Sequence, residues 1–342
     1  MSYTNGLDNP TEYFSVNTWT ADDTTPRSFT GFGHQPDLLW HTHRGSAAIN
    51  HTITDSVRGG DKQLTTVTNA AEDTKSHGEV TAFGSDGITV EDGTSATYPK
   101  LYFNDLDPFG ASVGGEYVCW SWKETADAGF DIVSYTGDGT VTNISHSLSA
   151  VPELIIAKDR DATSDWVVYH HTQGNGKHLD LNNDEAVATD ANAWDETTPT
   201  SSVFTVGENS YTNPDSRAMI YYLFAPKQGF SKFGSYTGNG NADGPFLFFG
   251  FSPSFIMFKR TDSTGHWVLK DNKRDTYNVA TGYLYANDGA AESTSYNLDF
   301  TANGVKLRGT DLQFNASGGT FIYMAFAEAP FVNSNGVPCN AR

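Results

Sequence analysis

Short apolar runs alternate with turn-forming residues along the whole chain, a pattern that predicts β-strands joined by tight turns. In Tyr117-Val118-Cys119-Trp120-Ser121-Trp122, residues Val118, Trp120 and Trp122 share one face by the strand period of two. Met219-Ile220-Tyr221-Tyr222-Leu223-Phe224 and Phe321-Ile322-Tyr323-Met324-Ala325-Phe326 have the same strong β character. Three further runs each follow a proline: Asp37-Leu38-Leu39-Trp40, Glu153-Leu154-Ile155-Ile156 and Ser254-Phe255-Ile256-Met257. They are apolar on both faces, which predicts central strands. Helical turns are expected only around Asn69-Ala70-Ala71-Glu72 and Asp184-Glu185-Ala186-Val187.

These runs recur at fixed spacing, so the chain reads as an internal repeat. Phe14 to Thr20, Phe130 to Gly137 and Phe233 to Gly238 each place an aromatic residue and Thr before a turn rich in Gly or Asp. From that Thr to the later Pro (Thr20 to Pro36, Thr136 to Pro152, Thr237 to Pro253) the distance is 16 residues each time. A Trp follows 14 residues after Pro152 and Pro253, at Trp166 and Trp267, whereas Asn50 holds that count in the first copy. The boundaries fall near Ala126 and Gly229, giving segments 1–126, 127–229 and 230–342.

Strands of this kind must bury one face against a second sheet. The expected fold is therefore all-β: three tandem β-sandwich, jelly-roll-like repeats of about 100 residues. A β-helix would need a far shorter period. A buried large apolar side chain stabilises by about 1.5–3 kcal/mol, so most Trp and Phe residues are expected in cores. The short joins predict lobes packed against one another.

Charge narrows the partners. The chain carries a formal net charge of −20. Nucleic acid and anionic lipid need Lys and Arg to neutralise phosphate, so neither is an expected partner. The first segment holds 7 basic and 17 acidic residues, the second 5 and 15, and the third 9 and 9, so only the third is neutral. The most apolar stretch, Pro245 to Phe258, is interrupted by Gly250 and Pro253 and is too short to span a bilayer. Met1-Ser2-Tyr3-Thr4-Asn5 is polar and predicts synthesis in the cytoplasm without a cleavable signal. Cys119 lies in an apolar strand and reads as a buried inert thiol, while Cys339 lies in a polar tail.

The repeat resembles one found in tail-fibre-like and uncharacterised virion structural proteins of tailed, often marine, bacteriophages. In the first copy the resemblance rests on Phe32 to Trp40, Asp55-Ser56-Val57-Arg58-Gly59 and Phe83-Gly84-Ser85-Asp86-Gly87. In the second it rests on Trp166-Val167-Val168-Tyr169-His170 and Pro199 to Gly207. In the third it rests on Phe233 to Gly240, Phe258-Lys259-Arg260-Thr261 and Tyr323 to Glu328. The resemblance implies a protein located in the virion, partnered by other capsid or tail proteins. It brings no known functional residues. His41-Thr42-His43-Arg44 departs from the Lys-Ser-Arg-like run that similar proteins carry there. A collagen-like or coiled-coil shaft and a separate N-terminal anchoring segment are also missing from the pattern.

Candidate chemistry is sparse. His41 and His43 alternate on a strand and could bind a metal from one side, although the sequence places no third ligand; His170-His171 would point to opposite faces. Asp271-Asn272-Lys273-Arg274-Asp275 and Asp180-Leu181-Asn182-Asn183-Asp184 are oxygen-rich, but ordinary turns explain them and neither has the spacing of an EF-hand loop. No Gly-x-Ser-x-Gly elbow, phosphate loop or His-Glu-x-x-His motif occurs, so no enzyme and no cofactor is expected. Trp194 and Tyr211 sit in polar loops and are candidates for stacking on a host surface glycan or receptor, or on a neighbouring subunit of a homo-oligomer. The expected role is a tail-fibre or host-recognition adhesin. A capsid or tail decoration protein without receptor binding is the alternative, and a surface-polysaccharide hydrolase a more distant one.

Overall fold

The computed structural model describes residues 6–45, 49–108 and 114–339; the polar N-terminal pentapeptide lies outside them. Among the described residues, twenty-five strands and one short 3-10 turn, Pro10–Glu12, make up the regular structure. The first segment contributes β1 (Phe14–Thr20), β2 (Arg27–Thr30), β3 (Leu38–His43), β4 (Thr52–Asp55), β5 (Lys62–Thr65), β6 (Asp73–Thr74), β7 (Glu79–Gly84), β8 (Gly87–Glu91) and β9 (Glu116–Trp122). The second contributes β10 (Phe130–Thr136), β11 (Thr142–Ser145), β12 (Leu154–Asp159), β13 (Val167–His170), β14 (Lys177–Asp180), β15 (Ala188–Thr189), β16 (Val203–Val206) and β17 (Ala218–Phe224). The third contributes β18 (Ser231–Thr237), β19 (Phe246–Phe248), β20 (Phe251–Arg260), β21 (Val268–Asp271), β22 (Ala280–Tyr285), β23 (Ser293–Thr301), β24 (Gly304–Leu307) and β25 (Thr320–Pro330).

One topology recurs. The central sheets run β1-β9-β3-β4-β5-β6, β10-β17-β12-β13-β14-β15 and β18-β25-β20-β21-β22. In each, the strand that closes the segment lies between its first strand and the strand at the proline. The register agrees residue by residue. Trp122 pairs with Phe14 and Leu38, Phe224 with Phe130 and Leu154, and Phe326 with Ser231 and Phe255. Pro36, Pro152 and Pro253 each precede the third member of such a set by two residues, so they occupy equivalent places.

A smaller sheet covers one face of each central sheet: β2-β8-β7 in the first module, β11-β16 in the second, and β19-β24-β23 in the third. In the third the cover continues into the central sheet through β22. The period of two sorts the side chains. Leu39 and Cys119 face the first cover with Phe29, Ile88 and Val90, while Trp40, Val118, Trp120 and Trp122 face the other way. In β17, Met219, Tyr221 and Leu223 likewise face the cover, and Ile220, Tyr222 and Phe224 face away.

The away-facing sides of all three sheets meet in one common core. At its centre are three residues equivalent by register. Ring centroids of Trp122 and Phe326 lie 5.5 Å apart, Trp122 and Phe224 6.0 Å, and Phe224 and Phe326 6.0 Å. Phe14 stacks on Phe326 at 4.9 Å. The three modules therefore form a closed ring with approximate threefold repetition, and each sandwich buries both faces of its central sheet.

Polar contacts between modules repeat as well. Trp166 Nε1 donates to Thr65 O at 2.9 Å, and the equivalent Trp267 Nε1 donates to Asp180 O at 2.9 Å. Backbone N–H groups of Thr66, Leu181 and Ala286 donate to His51, Trp166 and Trp267, which makes His51 the first module's counterpart of the two tryptophans. The Asn50 assignment is thus corrected by one residue. The cause is the longer link in the first copy: Leu39 pairs with Thr54, whereas Ile155 pairs with Tyr169.

The two expected helical turns are loops instead, at one equivalent place. Lys158 Nζ donates to Asn69 O at 3.2 Å, and Lys259 Nζ donates to Asp184 O at 3.1 Å and Glu185 O at 2.6 Å. Carbonyls that a helix would bond internally are turned toward the next module's buried lysine.

Candidate functional site

Most of the residues singled out in the sequence are taken up by the fold itself. Trp194 is 2% exposed and packs edge-on against Tyr169 at 5.8 Å, inside the core beneath the second cover. The expectation of a ligand-stacking Trp194 is therefore corrected: the loop folds the indole inward, where burial is worth more than exposure. Tyr211 is 44% exposed, so its ring is available at the surface.

His41 and His43 lie on one face, as the alternation predicts, but both are buried and bonded to backbone. His41 Nδ1 lies 3.0 Å from Tyr102 O, and its ring stacks on Phe103 at 4.3 Å. His43 Nε2 lies 2.7 Å from Gly114 O, and its Nδ1 accepts from Gly45 N at 3.0 Å. With both nitrogens of His43 engaged, the pair is not arranged as metal ligands, which corrects the His41 and His43 site. Among the described residues no group of three or more His, Cys, Asp or Glu is placed to hold a metal ion.

Of the two oxygen-rich stretches, Asp180 to Asp184 bonds to neighbouring polar groups, with Asn183 Nδ2 donating to Asp180 Oδ2 at 3.0 Å and Asn182 Nδ2 to Asp165 Oδ1 at 2.8 Å, while Asp271 to Asp275 is taken up by the protein's own cations. Asp271 Oδ2 accepts from Arg274 Nε at 2.6 Å and from Trp120 Nε1, across the module boundary, at 3.1 Å. Arg274 continues to Glu292 Oε1 at 2.8 Å, and Arg44 Nε meets Glu292 Oε2 at 2.8 Å. The same constellation joins the first and second modules. Arg58 Nε lies 2.5 Å from Asp55 Oδ2, Arg58 Nη1 lies 2.9 Å from Glu72, and Arg160 bonds Glu72 twice. There Tyr222 OH, at the position of Trp120, donates to Asp55 at 2.7 Å. At the remaining junction the corresponding residues are Met324, which has no proton to donate, and His170.

Burial holds three of the imidazoles neutral: His41, His51 and His170 are each pushed down to about 3, with Arg274 adding to the effect on His51 and His171 to that on His170. The unfolded chain protonates such rings near 6.5. Their contribution is therefore present above pH 6.5 and is lost as the pH falls toward 3, by up to about 1.4 kcal/mol per pH unit for each ring. Glu124 acts in the opposite sense. Burial first, then the charges of Asp131 and Asp37, raises it from 4.5 to about 7, so its contribution declines as the pH rises through that window. The expected result is a denaturation midpoint that drops steadily between pH 6.5 and 4.5, with a shallower slope in His51→Phe. A flat profile in urea titrations over that range contradicts it.

One surface feature is not consumed by the fold. A cleft of about 730 Å³ runs between the turn joining the second and third modules and the edge of the third cover. Its walls include Lys227, Lys232, Phe248, Phe249, Phe331 and Val332. Phe246 and Phe248 on β19 are 45% and 55% exposed, while Leu247 between them is buried. Lys232 Nζ donates to Phe248 O at 2.8 Å and lies 5.6 Å from the Phe248 ring. The sequence marked Pro245 to Phe258 only as apolar. The residues Phe246 and Phe248 became legible once the edge position of β19 was known.

No curated protein matches the chain. Over residues 9–330 it matches the family model described as Domain of unknown function (DUF7483), and the chain belongs to that family.

Proposed function

We propose that the chain is a non-enzymatic structural protein of a tailed-bacteriophage particle, of the tail-fibre or host-recognition type. The observation that supports this most is the closure of three similar modules around one aromatic core. Such a body is stiff and presents its loops outward, which suits a part that must bear load and make contacts. Asp55, Arg58, Asp271 and Arg274 are spent on locking the modules, and His41 and His43 on bonding backbone within the first. The partners in this reading are other capsid or tail proteins, with Tyr211 as a surface contact for a host glycan or receptor.

A second reading, a capsid or tail decoration protein without receptor binding, is favoured by the aromatic cleft on the neutral third module. Immunogold labelling of purified particles with antibody against the chain tests both. Gold at the tail supports the first reading and gold distributed over the head supports the second. Particles that carry no label, and no peptides of the chain by mass spectrometry, exclude either.

A further inference from the structure

The three covers supply an internal comparison for the exposed aromatics. Phe29, Ile144 and Leu247 are equivalent: each is buried and pairs with Ile88, Phe204 or Val305 in its cover. The neighbours on either side are therefore equivalent too. Ser28 and Thr30 in the first module and Asn143 and Ser145 in the second stand where the third has Phe246 and Phe248. The same edge position is polar twice and aromatic once, so the fold does not require the rings.

The backbone there is an open edge. Leu307 N donates to Pro245 O at 3.0 Å, and Phe249 N donates to Asn303 O at 2.8 Å. With those groups turned toward β24, the period of two sends the N–H and C=O of Phe246 and Phe248 outward. Among the described residues no strand pairs with that side of β19, and Phe248 O accepts from the Lys232 ammonium. Natural proteins normally blunt such an edge with charge or proline, and an aromatic edge marks a pairing surface.

The charge is also specific to this place. In a chain with 21 basic and 41 acidic residues, the cleft is walled by two lysines and no carboxylate. Burial lowers the affinity of both ammonium groups for their protons, and only Asp127 near Lys227 and Glu153 near Lys232 counter it. Apart from Lys227 and Lys232, the polar side chains on the walls are Gln228 and Ser231, too few acceptors to orient the hydroxyls of a sugar. A second copy paired twofold through β19 would bring the lysines of both copies to one apolar patch, at a cost in repulsion.

We propose that the cleft and the outer edge of β19 dock an extended segment of a partner protein. The segment adds a strand to β19, places an apolar side chain against Phe248 and Phe331, and brings a carboxylate to Lys227 and Lys232. This docking mode does not depend on the virion assignment, since it follows from the edge, the rings and the charge alone.

The test uses the full chain and a short fluorescent peptide of alternating apolar and glutamate residues. Two control peptides have lysine for glutamate, or proline at the central positions. Fluorescence anisotropy should show saturable binding of the glutamate peptide only. Phe246→Ser with Phe248→Thr restores the residues of the first module, which shows that the strand forms with them; this variant should melt as the parent does and bind at least about tenfold more weakly, roughly 1.4 kcal/mol. Lys227→Gln with Lys232→Gln should remove the preference for glutamate over lysine peptides. The proposal is overturned if the parent fails to bind at millimolar peptide, if the Phe246 and Phe248 variant binds equally well, or if proline peptides bind as tightly. A dimer in sedimentation that this same variant dissolves would also overturn it, by assigning the surface to a second copy.

Discussion

Trp122→Ala should lower the free energy of unfolding by about 3–5 kcal/mol and should weaken all three modules together. The indole touches rings from every module: Phe14 at 5.0 Å, Phe224 at 6.0 Å and Phe326 at 5.5 Å. Truncation leaves a cavity where three stiff sheets converge, and none of them can relax into it without opening a boundary. Trp19→Ala is the control. Trp19 is partly exposed and packs on Phe29 and Tyr117 of its own module, so its loss should cost less. Urea unfolding followed by tryptophan fluorescence and far-ultraviolet circular dichroism checks both. Transitions that separate in the Trp122 variant, with one module melting alone, would contradict the shared core.

Arg58→Ala should cost a comparable amount, about 3–5 kcal/mol, because it leaves a buried carboxylate without its cation. Asp55 and Arg58 side chains are both fully buried, and Asp55 would keep only Tyr222 OH and a backbone N–H as partners. The loss should exceed that of Arg160→Ala, since Arg160 lies at the partly exposed end of the same network. Replacing Asp55 and Arg58 together by Leu and Met removes the charges as a pair and should cost less than Arg58→Ala alone. Chemical denaturation of the three variants ranks the losses. Equal losses for the single and double variants would mean that the ion pair is not what holds that junction.

The repeat and the strand faces were legible because both are period signals. Val118, Trp120 and Trp122 had to share a face, and the 16-residue spacing to each proline marked equivalent strands. What one period cannot say is which sheet a face will meet. The alternation made Trp122 a core residue of a sandwich, whereas its neighbours also include Phe224 and Phe326, from segments that begin at residues 127 and 230. The candidate sites failed for a related reason. His41 and His43 were paired by their alternation on a strand and Trp194 was read from its polar loop, but the chain folds His41 under Tyr102 and Trp194 under its own cover. Asp55 with Arg58, and Asp271 with Arg274, repeat at a spacing of three in the first and third copies and could have been paired by comparing copies. Comparing the copies would likewise have set Phe246 and Phe248 against Ser28, Thr30, Asn143 and Ser145.

Differential scanning calorimetry of the intact chain tests the common core most directly. Three sheets closed on one core should melt in a single transition, with calorimetric and van't Hoff enthalpies in a ratio near one. Resolved peaks, or a ratio approaching three, would mean that the modules are independent sandwiches that merely touch.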